Sequence, residues 1–279
     1  MSLRRQNEVL PITSALNGVP QTMLWTLYNR ASESLRQDAW FRDPDAERIY
    51  RAIPFDYRAH FGRPDSSHAT RSQMFDEALR SWLSRHPDGT VIELGCGLET
   101  QFQRCDNGRL QWLCVDVAEA LDVRERFLPP APRCRHLRLS VLDRAWLDGV
   151  APSASVFISA QGLLMYFQPE EVRMLLCDIA RRLPGAELMF DTIPRWFSTL
   201  TLRGLKLTAH YQAPPMPWGL DRHEIEPVLR DWIPGALSIT HETYRRFRGF
   251  PACLAPSFAR IPWLGRFQPA VVRLLLPAR

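Results

Sequence analysis

The stretch VIELGCGLETQFQRCDNGRLQWLCVD, residues 91–116, constrains the fold more than any other part of the chain. It reads in order as an apolar run closed by glycine, a Gly95-Cys96-Gly97 turn, a short helical span, and a second apolar run ending in Asp116. Apolar runs without polar alternation belong to strands buried on both faces, which implies a parallel sheet with helices on each side. Open sheets of that kind bind ligands outside the carboxyl ends of their strands. The glycine turn and Asp116 are therefore where ligand chemistry is expected.

The remainder of the chain supports this α/β reading. From residue 90 onward, strand-like runs (TVIELG, LQWLCVD, RHLRLSVLD, ASVFISAQ, AELMFDT) alternate with helical ones (AEALDVRERFL, PEEVRMLLCDIARRL). The second of these helices opens on proline with acids in its first turn, a favourable start for both backbone and helix dipole. Residues 20–89 carry no strand signal. PQTMLWTLYNRASESLRQ and SQMFDEALRSWLSRH repeat apolar residues at helical spacing, and FRDPDAERIYRAIPFDYRAHFGRPDSS between them reads as a proline-broken connector. The expected organisation is an N-terminal helical cap over residues 1–89 and a Rossmann-like core over 90–279. A proline-rich lid containing YQAPPMPWGLD interrupts that core at about 194–235. ALSITHETY and AVVRLLL are the last strand candidates, and FRGFPACLAPSFARIPWLGRF between them is too apolar for a solvated linker.

Composition removes several function classes. No 18-residue apolar run is present, so no membrane span is expected. The opening MSLRRQNEVLPITS lacks the apolar core of a secretory signal, which places the expected location in the cytoplasm. The net charge of +5 comes almost wholly from scattered arginines, with Lys206 the only lysine. Without a concentrated basic face no nucleic-acid partner is expected. The six cysteines form no C-x-x-C pair and show no metal-ligand spacing, so they read as reduced core residues, and neither HEIE nor HETY is a zinc-hydrolase motif.

The turn itself narrows the ligand. A dinucleotide fingerprint needs a third glycine where this chain has Thr100, and no P-loop lysine follows. Such a turn suits a ligand without phosphates lying across the strand ends. Asp116, 21 residues after Gly95, supplies two oxygens for a pair of ribose hydroxyls. Leu142 and Asp143 follow the third strand, where an adenine can stack on the apolar side chain and donate its amino group to the acid. Together these features fit S-adenosylmethionine better than NAD.

The segments PQTMLWTLYNRASES, FRDPDA, HPDGTVIELGCGLETQFQRCDNG, SVLDRAWLD, AQGLLMYF and YQAPPMPWG resemble, collinearly over about residues 18–220, the leucine carboxyl methyltransferase superfamily. The branch they resemble most is the tetracenomycin-type O-methyltransferases of polyketide synthesis. The resemblance implies a class I S-adenosylmethionine-dependent methyltransferase fold, with a mostly parallel seven-stranded sheet, acting on a carboxylate or another oxygen of a small hydrophobic molecule. It assigns Arg71 to the methionine carboxylate of the cofactor, a planar fork meeting a planar acid. Gly95 and Gly97 fall on its cofactor turn, Asp116 on its ribose acid, and Leu142 with Asp143 on its adenine contacts.

The chain also departs from that pattern. The family loop G-x-G-L-D-T-R is here GCGLETQ, with Glu99 and Gln101, and the family A-E-G is here Ala160-Gln161-Gly162. Glu93 stands where an asparagine is usual, and is read as restoring near the cofactor's amino group the charge that Gln161 no longer supplies. Tyr28, Trp25 and Tyr166 lie where the family closes over the cofactor, so a ring face near the sulfonium is expected. A carboxylate acceptor needs no base at neutral pH, whereas a hydroxyl would, with His210 the candidate. Two alternatives remain open from sequence. One is a cyclase that folds the cofactor's aminobutyrate arm onto itself, releasing methylthioadenosine and azetidine-2-carboxylate; the other is a non-catalytic partner protein.

Overall fold

A computed structural model describes residues 18–150, 155–249, 265 and 267–278. Seven strands form one sheet: β1 (Thr90–Leu94), β2 (Gln111–Asp116), β3 (Cys134–Arg138), β4 (Val156–Ala160), β5 (Glu187–Thr192), β6 (Ser238–Glu242) and β7 (Ala270–Leu275). Their order is β3-β2-β1-β4-β5-β7-β6. The first five pair in parallel, and β7 runs antiparallel to both β5 and β6. Strand order reverses between β1 and β4, which opens a crevice at their carboxyl ends.

Side-chain alternation along β1 shows why both sheet faces are covered. Ile92 and Leu94 point into a core shared with Ile158, Leu188 and Phe190, packed under Val172, Leu175 and Ile179 of α7 (Pro169–Arg182). Val91 points the other way, into a core built from Phe75, Leu79 and Trp82 of α4 (Ser67–Leu83) with Trp112, Cys114 and Phe157. Burying each such side chain contributes about 1.5–3 kcal/mol. The start of α7 is fixed locally by Pro169 at its first position and a reciprocal cap between Gln168 and Glu171, and Arg181 and Arg182 close its last turn.

The N-terminal segment is more helical than its sequence suggests. α1 (Thr22–Ser34) is followed by α2 (Pro44–Ala52) and α3 (Tyr57–Phe61), both inside the segment read as a connector. Asp43 caps α2 by accepting the Ala46 N–H at 2.9 Å, and Asp56 caps α3 by accepting the Ala59 N–H at 2.9 Å. Pro44 starts α2 rather than breaking it, since an N–H at the first helical position would have no partner within the helix. Leu24, Leu27, Ile49 and Tyr57 form a separate core around α1 to α3, which reaches Leu98 of the glycine loop. α4 instead packs on the sheet.

Residues 194–235 likewise contain two helices, α8 (Arg195–Leu202) and α9 (Arg222–Trp232), around the irregular stretch 203–221. α5 (Gln101–Cys105) and α6 (Ala118–Arg124) complete the elements that matter for the site. No helix among the described residues is long and apolar enough to cross a membrane. Cys253 and most of the apolar segment 247–267 lie outside the described residues.

Candidate active site

A cleft of about 260 Å³ opens at the β1/β4 reversal, between the glycine turn, the start of α1 and the loop after β4. Gly95 and Gly97 adopt positive φ of 64° and 42°, a region side chains disfavour. Space constrains them too: a Cβ on Gly95 would lie 2.6 Å from Leu163 Cδ1, and one on Gly97 would lie 3.2 Å from Met23 Cβ. The turn thus brings bare backbone to the cleft wall. Asp116 ties the end of β2 to it: Oδ2 accepts the Gly97 N–H at 2.8 Å and Oδ1 accepts the Val117 N–H at 2.8 Å. Burial raises the Asp116 carboxyl above its ordinary pKa, against the pull of these two donors.

The opposite wall is cationic. Arg71, on α4, is 4% exposed and lines the cleft, with Nη1 3.0 Å from Asp191 Oδ2. Asp191 also accepts the N–H of Gly162, whose φ is 63°. A Cβ on Gly162 would lie 2.7 Å from Arg71 Nη1, so this glycine makes room for the guanidinium. Arg71 Nε has no hydrogen-bond partner among the described residues. One end of the cleft therefore presents a carboxylate and the other a guanidinium with an unpaired donor.

Beneath the turn lies a buried ionic network. Arg30 of α1, fully buried, reaches Asp43 at 2.5 Å, Glu99 at 3.1 Å and the Leu98 carbonyl at 2.6 Å. Arg104 of α5 joins Asp43 at 2.9 Å, Asp76 at 2.7 Å and the same Glu99 oxygen at 2.8 Å. Ser72 donates to the other Glu99 oxygen at 2.9 Å. Burial works against the charged form of Glu99, but Arg30 and Arg104 outweigh it and hold its carboxyl well below the usual range. Glu99 thus locks the helical cap onto the glycine turn, a role that needs an acid at this position.

Two further departures from the family pattern meet each other. Gln161 Nε2 donates to Gln101 Oε1 at 3.3 Å, and Ser159 Oγ donates to the same oxygen at 3.2 Å. Where the family pattern has arginine and glutamate, this chain has an amide pair, so the lost charges cancel locally. Glu93 accordingly plays another part than the one expected of it. Its side chain is outside the cleft, 3% exposed, accepting the Trp112 indole N–H at 3.1 Å and lying 3.8 Å from Arg124. Burial and the neighbouring Cys114 push its carboxyl well above the ordinary range despite Arg124.

Of the other expected site residues, Tyr166 lines the cleft, and burial pushes its phenol up to about 12 despite a hydrogen bond with Thr22. Tyr28 does not; its hydroxyl donates to the Gly62 carbonyl at 3.3 Å and its ring stacks on Tyr50 and Tyr57. Trp25 packs against Phe61, His68 and Tyr211. His210 is exposed in the stretch after α8 and does not line the cleft. Leu142 packs against the core and Asp143 is an exposed cap that accepts the Ala145 N–H, while Ser140 and Val141, two positions earlier, line the cleft. Arg124 was missed from sequence; it donates to the carbonyls of Gly97 at 3.0 Å and Glu99 at 2.7 Å, fixing the turn from below.

Known proteins share the chain's sequence pattern and fold. Residues 23–180 match the family model for leucine carboxyl methyltransferase. The tetracenomycin polyketide synthesis O-methyltransferase TcmP of Streptomyces glaucescens is 31% identical over 210 residues, covering 74% of this chain and 76% of TcmP. A solved structure of a Thermobifida fusca YX protein assigned as a methyltransferase shares the fold at a TM-score of 0.60, with 16% identity over 97% of this chain and all of its own. The CurJ carbon methyltransferase does so at 0.52, with 13% identity over 93% of this chain and 68% of its own. The carboxylate, glycine turn and guanidinium around the cleft suit a zwitterionic nucleoside amino acid, and the cofactor is S-adenosylmethionine. The chain is a class I methyltransferase belonging to the leucine carboxyl methyltransferase family.

Proposed function

We propose that the protein esterifies a carboxylate on a small, hydrophobic molecule. The observation that carries this reading is the set of titratable groups on the cleft wall: Arg71, Cys96, Glu99, Asp116 and Tyr166, with no histidine among the described residues there. Glu99 is saturated by Arg30, Arg104 and Ser72, and Asp116 is held at the ribose end by backbone donors. Tyr166, pushed up to about 12, stays protonated near neutral pH and can donate a hydrogen bond but not take a proton. Burial pushes the Cys96 thiol well above its ordinary range, so among the described residues the cleft lacks a general base. A carboxylate acceptor, ionised at neutral pH, needs none, whereas a phenol or alcohol does.

The cofactor supplies an electrophilic methyl group on a sulfonium, and the protein's part is alignment and exclusion of water. In this reading the Gly95–Gly97 backbone lies against the adenosyl moiety and Asp116 accepts from its ribose hydroxyls. Ser140 and Val141 border the adenine, and the spare Nε of Arg71 meets the methionine carboxylate. The side of the cleft at Tyr166 is apolar: Met165, Ile193 and Met216 pack together there with Tyr166 and Phe197 against them. Trp218 N–H donates to the Met165 carbonyl at 3.2 Å, pinning the proline-rich stretch beside this pocket. An acceptor with an apolar body and one acid fits it. The segment 194–235 then forms one wall of the acceptor pocket and the N-terminal helices roof the cofactor. The cyclase alternative loses its motive, because Glu99, Gln101 and Gln161 are engaged with partners inside the protein.

Incubation of the protein and cofactor with matched aromatic carboxylic acids and phenols tests the assignment. Adenosylhomocysteine formed only with an acid, alongside a methyl ester cleaved by mild alkali, is the expected result. An alkali-stable methyl ether, or methylthioadenosine released without acceptor, would overturn it.

A further inference from the structure

On the sheet face opposite α7, behind the glycine turn, three potential metal ligands converge. Cys114 is on β2, Cys134 and His136 are on β3, and their ligand atoms all lie within 4.8 Å of one another. The parallel register sets Cys114 directly opposite His136 and Cys134 opposite Trp112, so all three side chains share one face. Adjacent strands make this grouping, which is why no C-x-x-C spacing announces it in the sequence. Cys114 Sγ and Cys134 Sγ are 3.9 Å apart. Two sulfurs bound to one tetrahedral zinc at about 2.3 Å each would be separated by about 3.8 Å.

The surroundings point to a ligand as well. His136, with its side chain 2% exposed, sets Nδ1 3.1 Å from Glu125 Oε1, which leaves Nε2 as the metal-facing nitrogen. That Nε2 is buried and has no hydrogen-bond partner among the described residues. A carboxylate behind a histidine is the arrangement that orients metal-ligating imidazoles. Glu93 Oε2 lies 3.6 Å from Cys114 Sγ, and its Oε1 is a second buried oxygen without a hydrogen-bond partner among the described residues. Two orphaned buried polar atoms beside a thiol pair are costly unless something binds them.

We propose that Cys114, Cys134 and His136 form a structural site for a zinc-class divalent cation, with the Glu93 carboxyl at its edge beside Cys114. The two thiol protons leave to solvent as the metal binds. The site sits directly below the cofactor turn: Arg124 lies 3.8 Å from Glu93 and donates to the backbone carbonyls of Cys96, Gly97 and Glu99. The metal would therefore brace the turn without touching the reacting atoms.

Full-length protein, reduced and stripped with a mild chelator, is titrated with cobalt(II) and then with zinc(II). The expected result is one equivalent of cobalt with intense visible bands of tetrahedral geometry and a thiolate-to-cobalt charge-transfer band, both erased by zinc. Zinc at a hundredfold excess over its Kd is expected to raise the melting temperature by about 5 °C for a chain of 279 residues. C134S and H136Q are expected to lose the stoichiometric metal, and C177S, altered outside the cluster, to keep it. The wild-type spectrum decides the question even where C134S fails to fold. Absence of a tetrahedral cobalt spectrum, undiminished binding in folded C134S, or a Cys114–Cys134 disulfide in the protein as isolated would each overturn the site.

Discussion

Replacing Arg30 by methionine tests whether the buried ionic network joins the helical cap to the cofactor turn. Methionine keeps most of the apolar volume but removes the contacts to Asp43, Glu99, Thr100 and the Leu98 carbonyl. Breaking a buried pair by deleting one partner costs about 3–5 kcal/mol. Arg104 still contacts both Asp43 and Glu99, so the lower end, about 3 kcal/mol, is the fitting figure. Unfolding entropy for 279 residues is about 0.6 kcal/mol/K, so the melting temperature should fall by about 5 °C. Glu99 supplies a pH signature. Its folded pKa is depressed, so its charge stabilises the protein above the ordinary value of 4.5, and that contribution is lost as pH falls below it. R30M raises the folded value and has less to lose, so the gap between wild type and variant should narrow below about pH 4.5. Calorimetric melts across pH, with E99Q and the double variant, complete a cycle whose coupling should be about 1 kcal/mol or more. A shift under 2 °C, a pH-independent gap or an additive cycle would refute the link between cap and turn.

The amide pair should behave as a unit. Q101R or Q161E alone places an unmatched charge in a largely buried site and should cost about 2 kcal/mol or more, while Q101R/Q161E together should recover most of that in urea melts. G162A forces a side chain into positive φ and against Arg71, so adenosylhomocysteine affinity should fall about tenfold, with roughly 1–2 kcal/mol lost in stability. H210A should leave kcat/KM for a carboxylic acid within about twofold from about pH 6 to 9, because no base titrates in the reaction.

Much of this was legible because the signals are local. The β1-turn-β2 unit is written in consecutive residues: two apolar runs, two glycines whose φ is positive, and an acid at the strand end. α2 and α3 were hidden because Asp43-Pro44 and Asp56 carry the composition of a loop yet act as caps. Leu142 and Asp143, expected beside the adenine, do not line the cleft, since the chain turns after β3 and presents Ser140 and Val141 there instead. The misreading of Glu93 follows from period-two alternation, which puts it on the Val91 face with Trp112 and Cys114. Nothing in the sequence joins Arg30 to Glu99 or Gln101 to Gln161, which meet only when the cap and the ends of the strands come together.

Adenosylhomocysteine binding by wild type and D116A, measured by titration calorimetry, tests most directly whether this cleft holds the cofactor. Two hydrogen bonds to an ionised acceptor, at about 1.5–3 kcal/mol each, translate into at least a hundredfold loss of affinity in D116A. A D116A protein that folds normally and binds within threefold of wild type would contradict the assignment of the cleft.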